Sequence, residues 1–458
     1  MFVAIRGTQA DGHDFTAQAL EQGAVAVVAE ERAPQGKHPK ATWVQVEDSG
    51  WALGRMANLF YGEPSKKLKL VGATGTNGKT TTVTLLHRLF MEMGAVAGMI
   101  STIENKIEER VLPTKFTTPD ALTLNALLSE MVEADCEMVF MEVSSHALVQ
   151  GRTAGLPFTG AVFSNITHDH LDYHGTFAAY IKAKKLLFDC LPQQAFALVN
   201  KDDKRASVML QNCKSKTQRS YALSAHADFR GRVVENTFDG LHLEIEEQEA
   251  WFRLVGEFNA SNLLAVYSVA RLLGEDAHKV LRHLTKLKAA RGRFEQVRLS
   301  GQVRAVVDYA HTPDALKNVL ETLQQIRETG ERIITVVGCG GNRDVAKRPI
   351  MAETAGSLSD VVVLTSDNPR FEDPAAILED MKQGLSIKQR AKSRTVVDRK
   401  EGIETAVQLA NPGDIVLVAG KGHETYQEVE GIRHHFDDLE ILQAFADPSA
   451  TASENTLA

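Results

Sequence analysis

A chain of 458 residues, 43% of them apolar, exceeds what one hydrophobic core ordinarily serves, so two or three domains are expected. Its 51 basic residues against 59 acidic ones, a net charge of −8, argue against the cationic surface that nucleic-acid binding requires. Four cysteines stand far apart without a CxxC pair, which leaves out a disulfide framework or zinc knot and fits a reducing cytoplasm.

No stretch approaches the ~18 consecutive apolar residues of a membrane span, and no basic-then-apolar leader opens the chain, so neither a span nor a signal peptide is expected. In chain order, the first punctuation is "YGEPSKKLKL", where Gly62, Pro64 and Ser65 interrupt the pattern and set a boundary near residue 66. The runs "KLKLVGA", "CEMVFMEV", "TGAVFSNI" and "FALVN" then alternate with helix-period segments, the pattern of parallel βαβ units. Around "ARGRFEQVRLSGQVRAVVDYA" a second series begins, with "VRAVVD", "RIITVVG", "DVVVLTS" and "DIVLVAG", and sets a second boundary near residue 298. The expected fold class is α/β in three domains: residues 1–66, a central parallel-sheet domain with a P-loop at 67–298, and a C-terminal Rossmann-like domain at 299–445. The tail "ADPSATASENTLA" is too poor in apolar groups to offset its ordering entropy, and disorder is expected over 446–458.

The most informative stretch is "VGATGTNGKTTTVTLLHRLF". An apolar run ending at Val71 leads into Gly75, Gly78, Lys79 and Thr80, and then Val83, Leu86, Phe90 and Met93 recur at helical spacing. Strand, loop and helix in that order make a phosphate cradle. Glycines let backbone N–H groups close on phosphate oxygens, lysine supplies a point charge, and a threonine hydroxyl reaches Mg²⁺. The usual first glycine of GxxxxGK[ST] is Ala73 here. Such a loop suits a switch, a motor, a kinase or a ligase equally.

Glu142 ends an apolar strand, where ligands collect in open parallel sheets, and could hold Mg²⁺ or merely cap the next turn. The segment "HDHLDYH" has neither HExxH nor zinc spacing. In the helix that follows, Phe177, Tyr180, Ile181, Leu187 and Phe188 share one stripe, and Lys184 falls on it while Lys182 and Lys185 lie off it. An inward lysine is unusual; desolvation would free its amine to attack an electrophile or to capture CO₂ as a carbamate. From periodicity alone, a snorkelling lysine whose stem covers apolar surface is the simpler reading.

Over nearly its whole length the sequence resembles the Mur ligases of bacterial cell-wall synthesis. The resemblance rests on "TGTNGKTT", "TTPDA", "MEVSSHALVQGR", "NITHDHLDYHG", "AKKLLF", "GEFNASN", "RGRFE", "DYAHTPDAL", "GCGGNRD", "SDNPR" and "GKGHET" taken together. It implies an ATP- and Mg²⁺-dependent ligase that activates a carboxylate as an acyl phosphate and joins it to an amine. The ATP loop falls on Gly75, Thr76, Asn77, Gly78, Lys79, Thr80 and Thr81, with Lys79 on the phosphates and Thr80 on Mg²⁺. A second metal position is implied at Glu142, His170 and a carbamate on Lys184, and further nucleotide contacts at Asn259, Arg293 and Asp308. Asn259 reads equally as a helix N-cap and Asp308 as a strand-end turn former.

The acceptor implied is a UDP-N-acetylmuramoyl dipeptide, meeting Thr117, Thr118, Ser144, Gln150 and Arg152, with Thr8, Gln9 and Ala10 from the first domain. The amine implied is meso-diaminopimelate, through Arg343, Asp367, Asn368, Pro369, Arg370, Gly420 and Glu424. Relatives carry a further strand before "FVAIRGTQADGHDF", so either the start lies upstream or the uridine pocket has lost a wall. A monomer without nucleic-acid or membrane partners is expected. The alternatives are a lysine-adding relative, a folylpolyglutamate synthetase, disfavoured by "EVSSHALVQGR" and "DNPR", and a nucleotide-binding protein without ligase activity.

Overall fold

The computed structural model describes residues 1–7, 10–33 and 41–447; Thr8, Gln9 and the polar tail from 448 onward lie outside it. The first domain is a three-stranded parallel sheet of Phe2–Val3, Ala26–Ala29 and Thr42–Gln45. Its helix Ser49–Phe60 starts at Asp48, whose carboxylate accepts from the Trp51 N–H at 2.9 Å. That helix leans on the central domain, where Asn58 Nδ2 donates to the Gly155 carbonyl at 3.1 Å. A short turn, Pro64–Lys66, with proline at its first position, then delivers the chain into the strand Lys69–Thr74.

All four runs expected as central strands form them. The sheet places Phe196–Asn200, Gly160–Phe163, Lys69–Thr74, Met138–Glu142 and Ala97–Ile100 side by side, all parallel. Apart from Lys69, their residues are buried on both faces, as crossover helices require, which is why they read as continuous apolar runs. One edge continues through the antiparallel strands Asn105–Ile107 and Arg110–Leu112. The other continues through Thr217–Ala222 into an antiparallel meander of Phe229–Thr237, Gly240–Ile245 and Gln248–Phe252.

The C-terminal sheet runs in the order Glu295–Arg298, Arg304–Asp308, Ile415–Ala419, Ile333–Val337, Val361–Leu364 and Ser393–Thr395, parallel except for its first strand. That first strand precedes the expected boundary near 298, yet its ladder with Arg304–Asp308 ties it to this sheet. The phosphate loop and the loops after Asp308, Val337, Leu364 and Ala419 therefore all emerge from the carboxyl ends of strands, where open α/β sheets bind ligands.

One buried histidine gives the fold a pH signature. His87, 2% exposed in the helix Lys79–Glu92, meets the Glu108 carbonyl at 3.1 Å, and burial pushes it from 6.5 to about 4. Its neutral form is favoured on folding, so its stabilisation is complete above 6.5 and is lost as pH falls toward 4. Melting temperature should drop across that window, and His87→Gln, which can keep the bond to Glu108, should flatten the drop. An unchanged slope in the variant would remove His87 from the account.

Candidate active site

The phosphate loop is held by close approach. A Cβ on Gly75 would lie 2.0 Å from Ser164 Oγ, and one on Gly78, whose φ is +87°, 2.5 Å from Asn262 Oδ1, so only glycine fits at either place. Ala73 stands inside the strand Lys69–Thr74, where extended backbone tolerates a side chain in place of the pattern's first glycine. The Thr76 N–H donates to the Asn165 carbonyl at 2.8 Å and the Asn77 N–H to Asn165 Oδ1 at 2.9 Å. Ser164 and Asn165 thus brace the loop, a role the sequence reading did not assign to them.

Two lysines converge on one oxygen. Lys79 Nζ donates to the carbonyls of Gly75 at 2.8 Å and Thr76 at 2.9 Å, and Lys184 Nζ donates to the same Gly75 carbonyl at 2.7 Å. Lys184 is 1% exposed and its ammonium stands 4.5 Å from the centre of the Tyr180 ring. Burial first, and the charge of Lys79 second, hold the Lys184 ammonium well below its ordinary pKa. A snorkelling side chain would reach water; this one ends inside the protein.

Glu142 is 1% exposed, and its two oxygens accept from the Thr102 N–H at 2.8 Å and the Thr102 hydroxyl at 3.2 Å. His170 sits with φ +53° at the start of the short helix Leu171–His174, 3.4 Å from Asp169 and edge-on to His146 at 4.9 Å between ring centres. Among the described residues no group of three or more His, Cys, Asp and Glu side chains converges to hold a metal. Glu142, His170 and Lys184 nevertheless line one cavity of ≈390 Å³ with the phosphate loop.

The far wall of that cavity belongs to the segment leading into the C-terminal domain and to the domain itself. Arg293 Nη2 donates to Thr80 Oγ1 at 3.1 Å, and its guanidinium lies 4.6 Å from the centre of the Tyr309 ring. Asp308 accepts from the Phe294 N–H at 2.7 Å, and burial pushes its pKa up to about 6 against the pull of Arg293. Asn259 is not the N-cap of its helix. The helix Glu257–Leu272 is capped by Gly256, and Asn259 turns inward, donating to the Val255 carbonyl at 2.8 Å and accepting from Asn262 Nδ2 at 3.2 Å. Asn262, one turn on, is the side chain that faces the cavity.

The residues assigned to the acceptor sit beside Glu142. Thr117 accepts from Thr102 Oγ1 at 3.0 Å, Thr118 donates to the Glu142 carbonyl at 2.8 Å, and Ser144 caps the helix Ser145–Val149. Gln150 Oε1 accepts from Arg152 Nε at 2.9 Å, and Arg152 Nη1 donates to the Thr118 carbonyl at 2.7 Å. Ala10 is exposed in the first domain.

The three loops assigned to the amine do meet. Asn368 Nδ2 donates to Glu424 at 2.8 Å, and its Oδ1 accepts from the fully buried Lys421 at 3.1 Å and from the Glu428 N–H at 2.9 Å. Asp367 is held below the usual carboxylate range: burial opposes its charge, but Lys421 and Arg399 outweigh it. A Cβ on Gly420 would come within 2.9 Å of Asp367, and the Pro369 carbonyl presses against Gly341. Arg370 Nη1 donates to the Gly341 carbonyl at 2.8 Å, while Arg343 stays exposed on the rim. Lys421 is the member that the sequence reading passed over.

Comparison with known proteins covers the whole of this arrangement. Residues 1–61 match the Mur ligase family catalytic domain, 73–270 the Mur ligase middle domain, and 292–422 the Mur ligase glutamate ligase domain. The chain is 57% identical over 447 residues to the UDP-N-acetylmuramoyl-L-alanyl-D-glutamate–2,6-diaminopimelate ligase of Cytophaga hutchinsonii, covering 98% of this chain and 92% of that one. It is 50% identical to the protein of the same name from Bacteroides thetaiotaomicron, over 97% and 92% of the two chains. A solved structure of a ligase of that name superposes with a TM-score of 0.67 at 34% identity, over 98% of this chain and 92% of the other.

Proposed function

The chain belongs to the Mur ligase family, and from that premise we propose that it adds meso-diaminopimelate to UDP-N-acetylmuramoyl-L-alanyl-D-glutamate in peptidoglycan precursor synthesis. The observation that carries the reading is the single cleft in which a phosphate loop, a buried glutamate and a buried lysine on one domain face Arg293, Asp308 and His311 across the way. We place the reaction in the cytoplasm and in the single chain; among the described residues no helix is long and apolar enough to cross a membrane.

The chain's own groups divide the work. The acceptor's terminal carboxylate is a poor electrophile, so one of its oxygens attacks the γ-phosphorus of ATP, giving an acyl phosphate and ADP. Backbone N–H groups at the start of the helix Lys79–Glu92, with Lys79, receive the phosphates once the lysine leaves its resting bonds to Gly75 and Thr76. Arg293, beside Thr80, supplies a planar fork to the same charge. The amine then attacks the acyl carbon, and phosphate leaves as the amide forms.

Two Mg²⁺ ions, one at Thr80 and one at Glu142, His170 and a carbamate on Lys184, would neutralise the approaching anions. The residues fit such a set only with the carbamate, because Glu142 and His170 alone offer too few hard ligands. The lowered pKa of Lys184 favours it: a neutral Nζ adds to CO₂, sheds a proton and becomes an N-carboxylate. That change also replaces repulsion from Lys79 with attraction.

Phosphate release from ATP should require both the UDP-linked dipeptide and meso-diaminopimelate, with a UDP-linked tripeptide found by mass spectrometry. Release that ignores either substrate would leave a nucleotide-binding protein rather than a ligase.

A further inference from the structure

Asn77 and Asp314 lie 237 positions apart and in different domains, yet they share a hydrogen bond. The backbone of Asn77 is committed to the central domain. Its N–H reaches Asn165 Oδ1 at 2.9 Å, and its carbonyl accepts from Ser164 Oγ at 2.6 Å and Asn165 Nδ2 at 3.2 Å. Only the carboxamide is left to point outward, and its Nδ2 donates to Asp314 Oδ2 at 2.9 Å.

Asp314 is the second residue of the helix Pro313–Ile326. That helix already has a cap, since Thr312 Oγ1 accepts from the Ala315 N–H at 3.3 Å. A first-turn carboxylate suits the helix dipole in any case, but nothing about the dipole demands a partner on the phosphate loop. The same helix lends Ala315, Asn318 and Val319 to the wall of the nucleotide cavity. Arg293 makes a parallel reach to Thr80, across 213 positions. The phosphate loop is thus gripped from behind by its own domain and from the front by the other.

We propose that Asn77 and Asp314 form an interdomain clasp that docks the C-terminal domain on the phosphate loop, making Asp314 a positioning residue for amide formation. The inference rests on the ligase reading above. Both steps draw on the C-terminal side, since Arg293, Asp308 and the helix Pro313–Ile326 line the nucleotide cavity, but amide formation depends on it further, because the amine is carried by the loops at 338–343, 367–370 and 420–424. A clasp tying the two domains at the loop where the acyl phosphate forms acts more strongly on the second step than on the first.

The test compares Asp314→Ala, Asp314→Asn, Asn77→Ala and the double alanine variant of the full chain. Acyl phosphate is measured without amine by borohydride trapping, and amide formation with meso-diaminopimelate present. Asp314→Ala should lower kcat for the amide by about tenfold or more, the scale of one charge-assisted hydrogen bond, while acyl phosphate still forms. Asp314→Asn keeps an acceptor oxygen for Asn77 and should retain most of the activity. The double variant should be no worse than Asp314→Ala alone, since the bond that the Asn77 carboxamide makes to the other domain ends on Asp314. Additive losses, equal damage from asparagine and alanine at 314, or an equal loss of both steps in Asp314→Ala would each overturn the clasp. Failure of the unmodified protein to form amide at all would instead overturn the ligase reading.

Discussion

Lys184→Ala should lose amide-forming activity on the order of a hundredfold or more, the scale on which removing one electrostatic stabiliser acts, and small carboxylates such as formate should restore part of it. The rescue follows from shape and charge: alanine vacates the volume between Gly75 and Tyr180, and a carboxylate placed there stands in for the carbamate. A purely structural lysine makes a different forecast. If its only task were the bond to the Gly75 carbonyl, the alanine variant would lose stability and no carboxylate would help. The unmodified enzyme should also weaken after acid treatment in CO₂-free buffer and recover with bicarbonate, because carbamates revert when the amine is protonated. Full activity in the alanine variant, or loss without rescue, would remove the carbamate from the mechanism.

That lysine also shows how far the sequence could be read. Its helical stripe placed it inward, and inward it is, in the helix Phe177–Asp189. Periodicity states which face a residue occupies but not what lies opposite, so the shared Gly75 carbonyl was out of reach. Strands such as Met138–Glu142 were legible because burial on both faces writes an unbroken apolar run. The meander from Phe229 to Phe252 was missed although it carried its own signals: Asp239-Gly240 turns the chain, and Leu241, Leu243 and Ile245 alternate inward. The N-cap reading of Asn259 fails because the helix begins at Glu257, and Asn262, one turn later, faces the loop. Contacts such as Asn77 to Asp314 have no local signature at all, being set by how two domains rest on one another.

The second large effect concerns which amine is accepted. Arg370 has φ +53° and is tied by backbone bonds to the edge of the hairpin that follows the Gly420 loop, its N–H donating to the Glu428 carbonyl at 3.0 Å. Its Nη1 is spent on the Gly341 carbonyl at 2.8 Å, while Nη2 makes no hydrogen bond among the described residues. With Nε 3.9 Å from Glu428 Oε2 and a side chain 21% exposed, the guanidinium keeps Nη2 for a ligand carboxylate. meso-Diaminopimelate has that second carboxylate at its far end; L-lysine does not. Charge-assisted hydrogen bonds are worth about 1.5–3 kcal/mol each, or roughly 10- to 100-fold in affinity. The unmodified protein should therefore prefer meso-diaminopimelate over L-lysine strongly in kcat/KM. Arg370→Ala should raise the KM for diaminopimelate and narrow the preference, leaving the KM for ATP in place. Arg370→Lys, which keeps charge but loses the fork, should fall between the two. Because Asn368 has both lone pairs of Oδ1 and one N–H already engaged with Lys421, Glu428 and Glu424, it has little left to offer a ligand, and the discrimination rests on the arginine. Comparable kcat/KM for the two amines in the unmodified protein would refute this and point to a lysine-adding ligase.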